Sequence, residues 1–377
     1  MNSANEKNLK KFWSTNNTNI FFILLPLIFL IYATFIAFYL KPGIIPDEER
    51  TLIITKHFSN TLGIPPDVPE TLSLNTIIKQ NPNLYFWING RIINIIYFIY
   101  PSINDWQLLI SLRIVNVLYA LGTIVFCYLF SKELIHNKWW QLLPVFLLTN
   151  TIMFVFLAGG VNDDNLVHLL SMAALYFLTR IFNQHNFMIN SIAMIICLFA
   201  NTLIKHRIFP FVFAVGVVWV IYIIKNHRII IPLEFKGLKI IMPGIFLICL
   251  IIGNLSIYGY NVVVYHSFLP SCNKILSKSQ CDLRLNYYKD LGPEYTLSFE
   301  LGEEYRLTIS ESIDLGYPGP FKYHFFHFIP NLFSRIFGIC ATPSYYSVPM
   351  TLAHVFLYYW IILITVIYWR DLDYKII

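Results

Sequence analysis

Two acidic motifs and one basic motif hold the side chains of this 377-residue chain that are best suited to chemistry. The acidic motifs are Asp47–Glu49, directly after Pro46, and Asp163–Asp164, and the basic motif is Lys205–Arg207. Clustered carboxylates can act as a general base or hold a divalent cation, and clustered cations can stabilise a phosphate. The motifs therefore provide the parts for chemistry on a phosphorylated substrate, provided that the fold brings them together.

The composition places these motifs in a membrane protein. Hydrophobic residues make up 56% of the chain and charged residues only 13%, whereas about a quarter of the residues of a soluble domain are charged. The net charge is +6, but the sequence contains no basic block of the kind that binds nucleic acid. The positions of Lys and Arg are therefore used to predict the topology of the chain in the membrane.

Eight apolar runs are long enough to cross a bilayer as helices. They span residues 20–40, 108–130, 140–158, 166–182, 188–204, 208–224, 240–258 and 351–369. The sequence thus predicts an all-α polytopic membrane protein with about eight transmembrane helices. It divides into a transmembrane core at 1–258 with a structured external loop at 41–107, a large extracytoplasmic loop at 259–350, and a last helix with its tail at 351–377.

The distribution of Lys and Arg predicts which side of the membrane each connection faces. Lys7, Lys10 and Lys11 precede the first run, so the positive-inside rule places the N-terminus in the cytoplasm. Alternating the runs then puts residues 41–107, 159–165, 205–207 and 259–350 outside. All three motifs are therefore predicted to share the external face.

Helix capping is the structural alternative for both acidic motifs, because carboxylates are stable in the first turn of a helix. Pro46 predicts a helix that runs towards Phe58, and Asp163 and Asp164 open the helix after the glycines at 159 and 160. Asp47 is nevertheless favoured as a general base, because it directly follows the rigid proline. Its predicted support is Glu48 or Asp163, either by hydrogen bonds or through a shared divalent cation such as Mg²⁺ or Mn²⁺.

The cations have a structural alternative as well. Lys205 and Arg207 break the positive-inside rule, so they either extend to lipid headgroups or bind an anion. Arg113 lies inside the second apolar run and either extends outward or approaches the acidic rim. The functional hypothesis assigns Lys205, Arg207 and Arg113 to phosphate binding.

A lipid-linked sugar would bring these groups into one reaction. A carrier in the outer leaflet holds its phosphate at the depth of the external rim, and the attached sugar projects towards the loops. A carboxylate can take the proton from an incoming hydroxyl, and cations can stabilise the phosphate that leaves. Guanidinium adds the bidentate phosphate contacts that ammonium lacks.

Several short motifs resemble the GT-C superfamily of integral membrane glycosyltransferases, which use polyprenyl-phosphate sugars. Pro46–Glu48 follows the first span, as the acidic motif of that superfamily does. Pro82–Trp87 resembles its Pro-Pro-Leu-Tyr segment, with Asn in place of the second Pro. Asn162–Asp164, Leu203–Lys205 and Phe328–Gly338 resemble later external segments of bacterial members.

The resemblance implies hexosyl or pentosyl transfer in the cell envelope, in a bacterial inner membrane. The donor would be a polyprenyl-phosphate-linked sugar in the surrounding membrane lipids. The acceptor would be a glycan, a lipid or a protein, with no nucleic acid involved and no certain cofactor beyond the possible divalent cation.

Two other classes remain open: a lipid-linked glycan flippase or transporter, and a glycan polymerase or ligase. A transporter is expected to carry charges or broken helices at mid-membrane, and a polymerase to depend on Arg and His in its large loop. That loop contains His324 and His327, for which an aromatic belt at the interface is the favoured interpretation. It also contains Cys272 and Cys281, whose spacing allows a local disulfide on an oxidising side.

Overall fold

The structure, a computed structural model, describes residues 3–73, 77–78, 82–226, 238–270, 272–277 and 279–281. All the regular elements in these residues are helical. In chain order they are α1 (Ser3–Tyr39), α2 (Glu48–Ser59), α3 (Pro69–Ser73), α4 (Leu84–Ile99), α5 (Asp105–Leu134), α6 (Lys138–Thr149), α7 (Ile152–Ala158), α8 (Asp164–Phe182), α9 (Phe187–Thr202), α10 (Phe209–Lys225), α11 (Leu238–Asn254), α12 (Tyr260–Tyr265) and α13 (Cys272–Ile275).

Five helical segments in the described part are long and apolar enough to cross a membrane. They are Ile20–Tyr39, Asp105–Leu134, Asp164–Phe182, His206–Lys225 and Met242–Tyr265. These segments are typical of a membrane-embedded, all-helical protein. The predicted span at 351–369 lies outside the described residues, as do Phe328–Gly338, His324 and His327, and the count of eight spans stays a prediction.

The predicted span at 140–158 is not one continuous helix. α6 and α7 are bent by 64° at a short break, and the pair counts as a sixth span only if both helices cross together. The break falls at Asn150 and Thr151, where three successive polar side chains bond back to carbonyls one turn earlier. Thr149 bonds to the Val145 carbonyl, Asn150 to that of Phe146 and Thr151 to that of Leu147. Such bonds compete with the helical ladder and bend helices.

The predicted span at 188–204 is a shorter helix than the sequence indicates. α9 has 16 residues, which is below the length of about 17 to 25 residues that a spanning helix needs. Its last turn leads directly to Lys205, so α9 positions the basic motif whatever its depth in the bilayer.

The described residues cluster into two compact units. One unit consists of the chain up to Glu48 together with Ile103–Leu250. Its core forms where small residues on one face of α1, at positions 33 and 37, allow α5 to pack closely. Phe29 of α1 stacks on Phe154 of α7 in the same core, with ring centroids 5.4 Å apart.

The other unit consists of Glu49–Ser102 and the described residues from Ile251 onward. It contains α3 and α4, which lie within residues 41–107, and the external position of this segment stays a prediction. Cys272 and Cys281 form a disulfide, as their spacing allows, and both pack against Leu72 and Ile77.

The shared external face can be tested by cysteine labelling of intact cells. In a cysteine-free background, we expect Lys41→Cys and Arg207→Cys to react with a membrane-impermeant maleimide from outside. His185→Cys, in the connection between α8 and α9, should react only after permeabilisation. Labelling of Lys41→Cys and Arg207→Cys from opposite sides would contradict the predicted topology.

Candidate functional site

A buried ion pair joins α5 to the first acidic motif. Arg113 is fully buried and Glu48 is 1% exposed. The Nε and Nη2 atoms of Arg113 donate to the two carboxylate oxygens of Glu48, at 2.8 and 2.6 Å. This is the bidentate geometry that makes an arginine–carboxylate pair strong. Glu48 is also the first residue of α2, where the helix dipole favours a negative charge.

The other donors of Arg113 hold the C-terminal end of α1. Its Nη1 atom donates to the carbonyls of Ala37 and Leu40 at 2.9 and 2.8 Å, and Nη2 reaches the Lys41 carbonyl at 3.4 Å. These carbonyls have no partner within the helix, so a cation there satisfies them and the dipole together. All five N–H donors of the guanidinium are thus used. The geometry favours a structural role for Arg113 over the phosphate binding that the sequence suggested.

The second acidic motif approaches the first because two glycines precede it. A Cβ atom on Gly159 would collide with Ile36, and one on Gly160 would collide with Ile45. Adjacent glycines often mark a tight turn that needs an unusual backbone conformation. Their steric role is instead a close approach of backbone to neighbouring side chains, since φ at Gly159 is an ordinary −76°.

Main-chain and amide hydrogen bonds then fix the two acidic segments side by side. The Val161 amide donates to Oε1 of Glu48 at 3.2 Å, and the side chain of Asn162 donates to the Pro46 carbonyl at 3.2 Å. Oδ1 of Asn162 accepts from the Asp164 amide at 2.8 Å. The residues directly before Asp47 and Asp163 are therefore in contact with each other.

Asn116 on α5 forms hydrogen bonds with the segment that contains the second acidic motif. Its Oδ1 atom accepts from the Asn162 amide at 3.4 Å and from Nδ2 of Asn165 at 3.2 Å. Asn116, Asn162 and Asn165 are nearly or fully buried. None of the three was predicted to be a site residue, and Asn162 was noted only as part of the Asn162–Asp164 motif. The position of Asn116 inside the apolar run 108–130 could have indicated its role, because a buried side-chain amide needs hydrogen-bond partners.

Lys205 binds both carboxylates of the second motif. Its Nζ atom lies 3.1 Å from Oδ1 of Asp163 and 2.6 Å from Oδ1 of Asp164. Burial by itself lowers the pKa of Lys205, but the two carboxylates outweigh burial and raise its pKa above the usual lysine value. The ammonium group is therefore protonated at neutral pH. Lys205, Asp163 and Asp164 thus form one charged cluster.

Asp47 and Arg207 are the exposed members of the predicted site. Asp47 lies one residue before α2 rather than in its first turn, and its φ of 60° is left-handed. Aspartate tolerates this conformation better than most residues do. Arg207 lies in the short 3₁₀ turn His206–Ile208, two residues after Lys205. The structure thus brings Glu48, Asp163, Asp164, Lys205 and Arg113 into one connected network of hydrogen bonds and ion pairs, with Asp47 at its edge.

The residues do not fit the divalent cation that the sequence suggested for Asp47, Glu48 and Asp163. In the described ranges, no three His, Cys, Asp or Glu side chains are grouped closely enough to hold a metal ion. Both oxygens of Glu48 face Arg113, and Asp163 faces Lys205. These carboxylates are neutralised by cations of the protein itself.

Comparisons of the chain with protein-family models, with curated proteins and with solved structures give no match. The site is therefore interpreted from its geometry and from the chemistry of its residues.

The buried pair should dominate the stability of this end of the bundle. We expect Arg113→Met or Glu48→Met to lower the free energy of unfolding by about 3–5 kcal/mol, since each leaves an uncompensated buried charge. Thermal unfolding of the purified full-length protein in detergent measures this loss. The double variant should lose less than the sum of the single losses.

Glu49→Met is the matched control for this cycle, because Glu49 is the exposed neighbour of Glu48. It should change stability by no more than about 0.5 kcal/mol. Strictly additive losses in the double variant would show that Arg113 and Glu48 do not act as a pair.

Proposed function

We propose that the protein is a membrane glycosyltransferase that moves a hexosyl or pentosyl group from a polyprenyl-phosphate donor to an acceptor on the extracytoplasmic face. The observation that carries the proposal is the contact between the two acidic segments, with Lys205 bound to the second of them. This contact gathers carboxylates and cations at one end of a helical bundle. A lipid phosphate in the outer leaflet would reach the same depth as that end.

Asp47 is the proposed general base. The carboxylate of Glu48 is already bound by Arg113 and by the Val161 amide, so it has little capacity left for a substrate proton. Asp47 is exposed and immediately precedes this fixed residue. The rigid Glu48 thus holds the backbone of Asp47, while the Asp47 carboxylate accepts the proton of the incoming acceptor hydroxyl.

Arg207 is the proposed principal contact for the donor phosphate, and Lys205 supports it. Two of the three ammonium donors of Lys205 are directed to Asp163 and Asp164, so only one is left for a phosphate oxygen. The guanidinium of Arg207 is exposed and can form two parallel bonds to phosphate. As the glycosyl bond breaks, these cations stabilise the charge on the departing phosphate.

The base assignment predicts a large loss of turnover on removal of one carboxylate. Asp47→Asn should transfer sugar about 10² to 10⁴ times more slowly than the wild type, with its melting temperature unchanged. Asparagine also tolerates φ near 60°, so folding is preserved. Sugar transfer from radiolabelled polyprenyl-phosphate donors by protein in lipid nanodiscs measures the loss, with Glu49→Gln as the matched exposed acid.

Two results of that experiment would contradict the proposal. If Asp47→Asn keeps full turnover, the acidic motif only starts a helix and Asp47 is not the base. If the wild type transfers sugar from no polyprenyl-phosphate donor, the proposed reaction is wrong. Activity should also survive EDTA, because Glu48 and Asp163 are already paired with cations of the chain.

The phosphate assignment predicts unequal effects of the two cations on donor binding. Arg207→Gln should weaken binding of the polyprenyl-phosphate sugar about tenfold or more, and the loss should shrink as salt is raised. Lys205→Gln should also lower the melting temperature, because it leaves Asp163 and Asp164 without their cation. Donor affinity that is unchanged in Arg207→Gln would indicate that this residue only extends to lipid headgroups.

A further inference from the structure

Below the second acidic motif, one face of α8 carries polar side chains at three-residue spacing. Asn165, His168 and Ser171 follow one another on this face, and residues three apart on a helix are neighbours. Asn201 of α9 donates from Nδ2 to the Ser171 hydroxyl at 2.9 Å. Asn201 thus extends the row at its inner end.

Three buried polar atoms in this row have no hydrogen-bond partner among the described residues. They are Oδ1 of Asn165, Nδ1 of His168 and Oδ1 of Asn201. Asn165 and Asn201 are both fully buried. Buried polar atoms of native proteins are nearly always satisfied, and each exception calls for a water, an ion or a ligand.

The orphaned atom of Asn165 is an acceptor. Nδ2 of Asn165 faces the carbonyls of Leu157 and Gly160 as well as Oδ1 of Asn116. A flipped amide would bring oxygen against oxygen, so the orphaned atom of Asn165 must be the acceptor. A partner for this atom has to bring an N–H or O–H group.

The row begins where the charged cluster ends. His168 lies one turn after Asp164 on α8, and the charges of Asp164, Asp163 and Lys205 act on its ring. The ring also packs near Phe154, with centroids 6.0 Å apart. The charged cluster at Lys205 and this row of polar side chains therefore follow one another along α8.

We infer that Asn165, His168 and Asn201 form a hydroxyl-binding subsite, in which their orphaned atoms form hydrogen bonds with the hydroxyl groups of a monosaccharide. The inference names the part of the proposed transferase site that would hold the sugar, and it rests on that function. Water offers the same O–H chemistry, so the experiment must separate bound water from a bound sugar.

Saturable binding of free sugars to the purified full-length protein tests the subsite. Glucose, galactose, mannose, ribose and arabinose are titrated at millimolar concentrations, and saturation-transfer NMR gives a Kd for the tightest of them. His168→Phe should weaken that Kd about fivefold, the usual effect of losing a hydrogen bond of roughly 1 kcal/mol. Asn201→Leu provides a second variant, in case one substitution fails to fold.

His185→Phe is the matched control, since it makes the same change at an exposed histidine beyond the other end of α8. Its Kd should equal that of the wild type. The melting temperature of His168→Phe without sugar should be unchanged or higher, because the substitution removes an unsatisfied buried atom. A marked fall would show that the row holds structural water, and would overturn the inference.

The inference also fails if no sugar in the panel binds saturably, or if His168→Phe and Asn201→Leu leave the Kd unchanged. Its failure is distinguishable from that of the proposed function, because free-sugar binding requires no lipid donor. Sugar binding that is weakened by His168→Phe, without transfer from any polyprenyl-phosphate donor, would keep the subsite and reject the transferase. If the wild type transfers sugar but His168→Phe leaves sugar binding unchanged, the transferase is kept and the subsite is rejected.

Discussion

The ion pair between Arg113 and Glu48 is the interaction on which this end of the bundle depends. Its charges are removed from water, which is costly unless every donor and acceptor finds a partner. Here the guanidinium satisfies three carbonyls at the end of α1 and both oxygens of Glu48. One residue of α5 therefore fixes where α1 ends and where α2 begins, and it sets the position of the acidic motif between them.

The second acidic motif reaches that position through contacts that carry no charge of their own. Gly159 and Gly160 leave room for Ile36 and Ile45, and the amides of Val161 and Asn162 then bond to the first motif. Hydrogen bonds are directional, so they orient the backbone near Asp163, which charge attraction alone would not do. The two acidic segments are adjacent despite a separation of more than one hundred residues in the sequence.

Ion pairing and exposure divide the charged groups of this site into two sets. Glu48 is bound by Arg113, while Asp163 and Asp164 share Lys205. Asp47 and Arg207 keep their exposure, because each lies one or two residues outside the fixed network. The proposed division of labour follows from this difference: the network orders the backbone, and its exposed neighbours act on the proton and the phosphate.

Composition and apolar runs alone determined that this is an all-helical membrane protein, because hydrophobicity is local and needs no partner to be recognised. The acidic and basic motifs were also visible, and the predicted helix after Pro46 is present. Only the tertiary structure decided that Arg113 pairs with Glu48, that 140–158 is bent and that Asn116 joins the network. Which carboxylate a buried cation meets depends on contacts between distant segments. The apolar pattern of the sequence does not specify those contacts. It shows which residues avoid water, but it does not show which polar partner a charged residue binds.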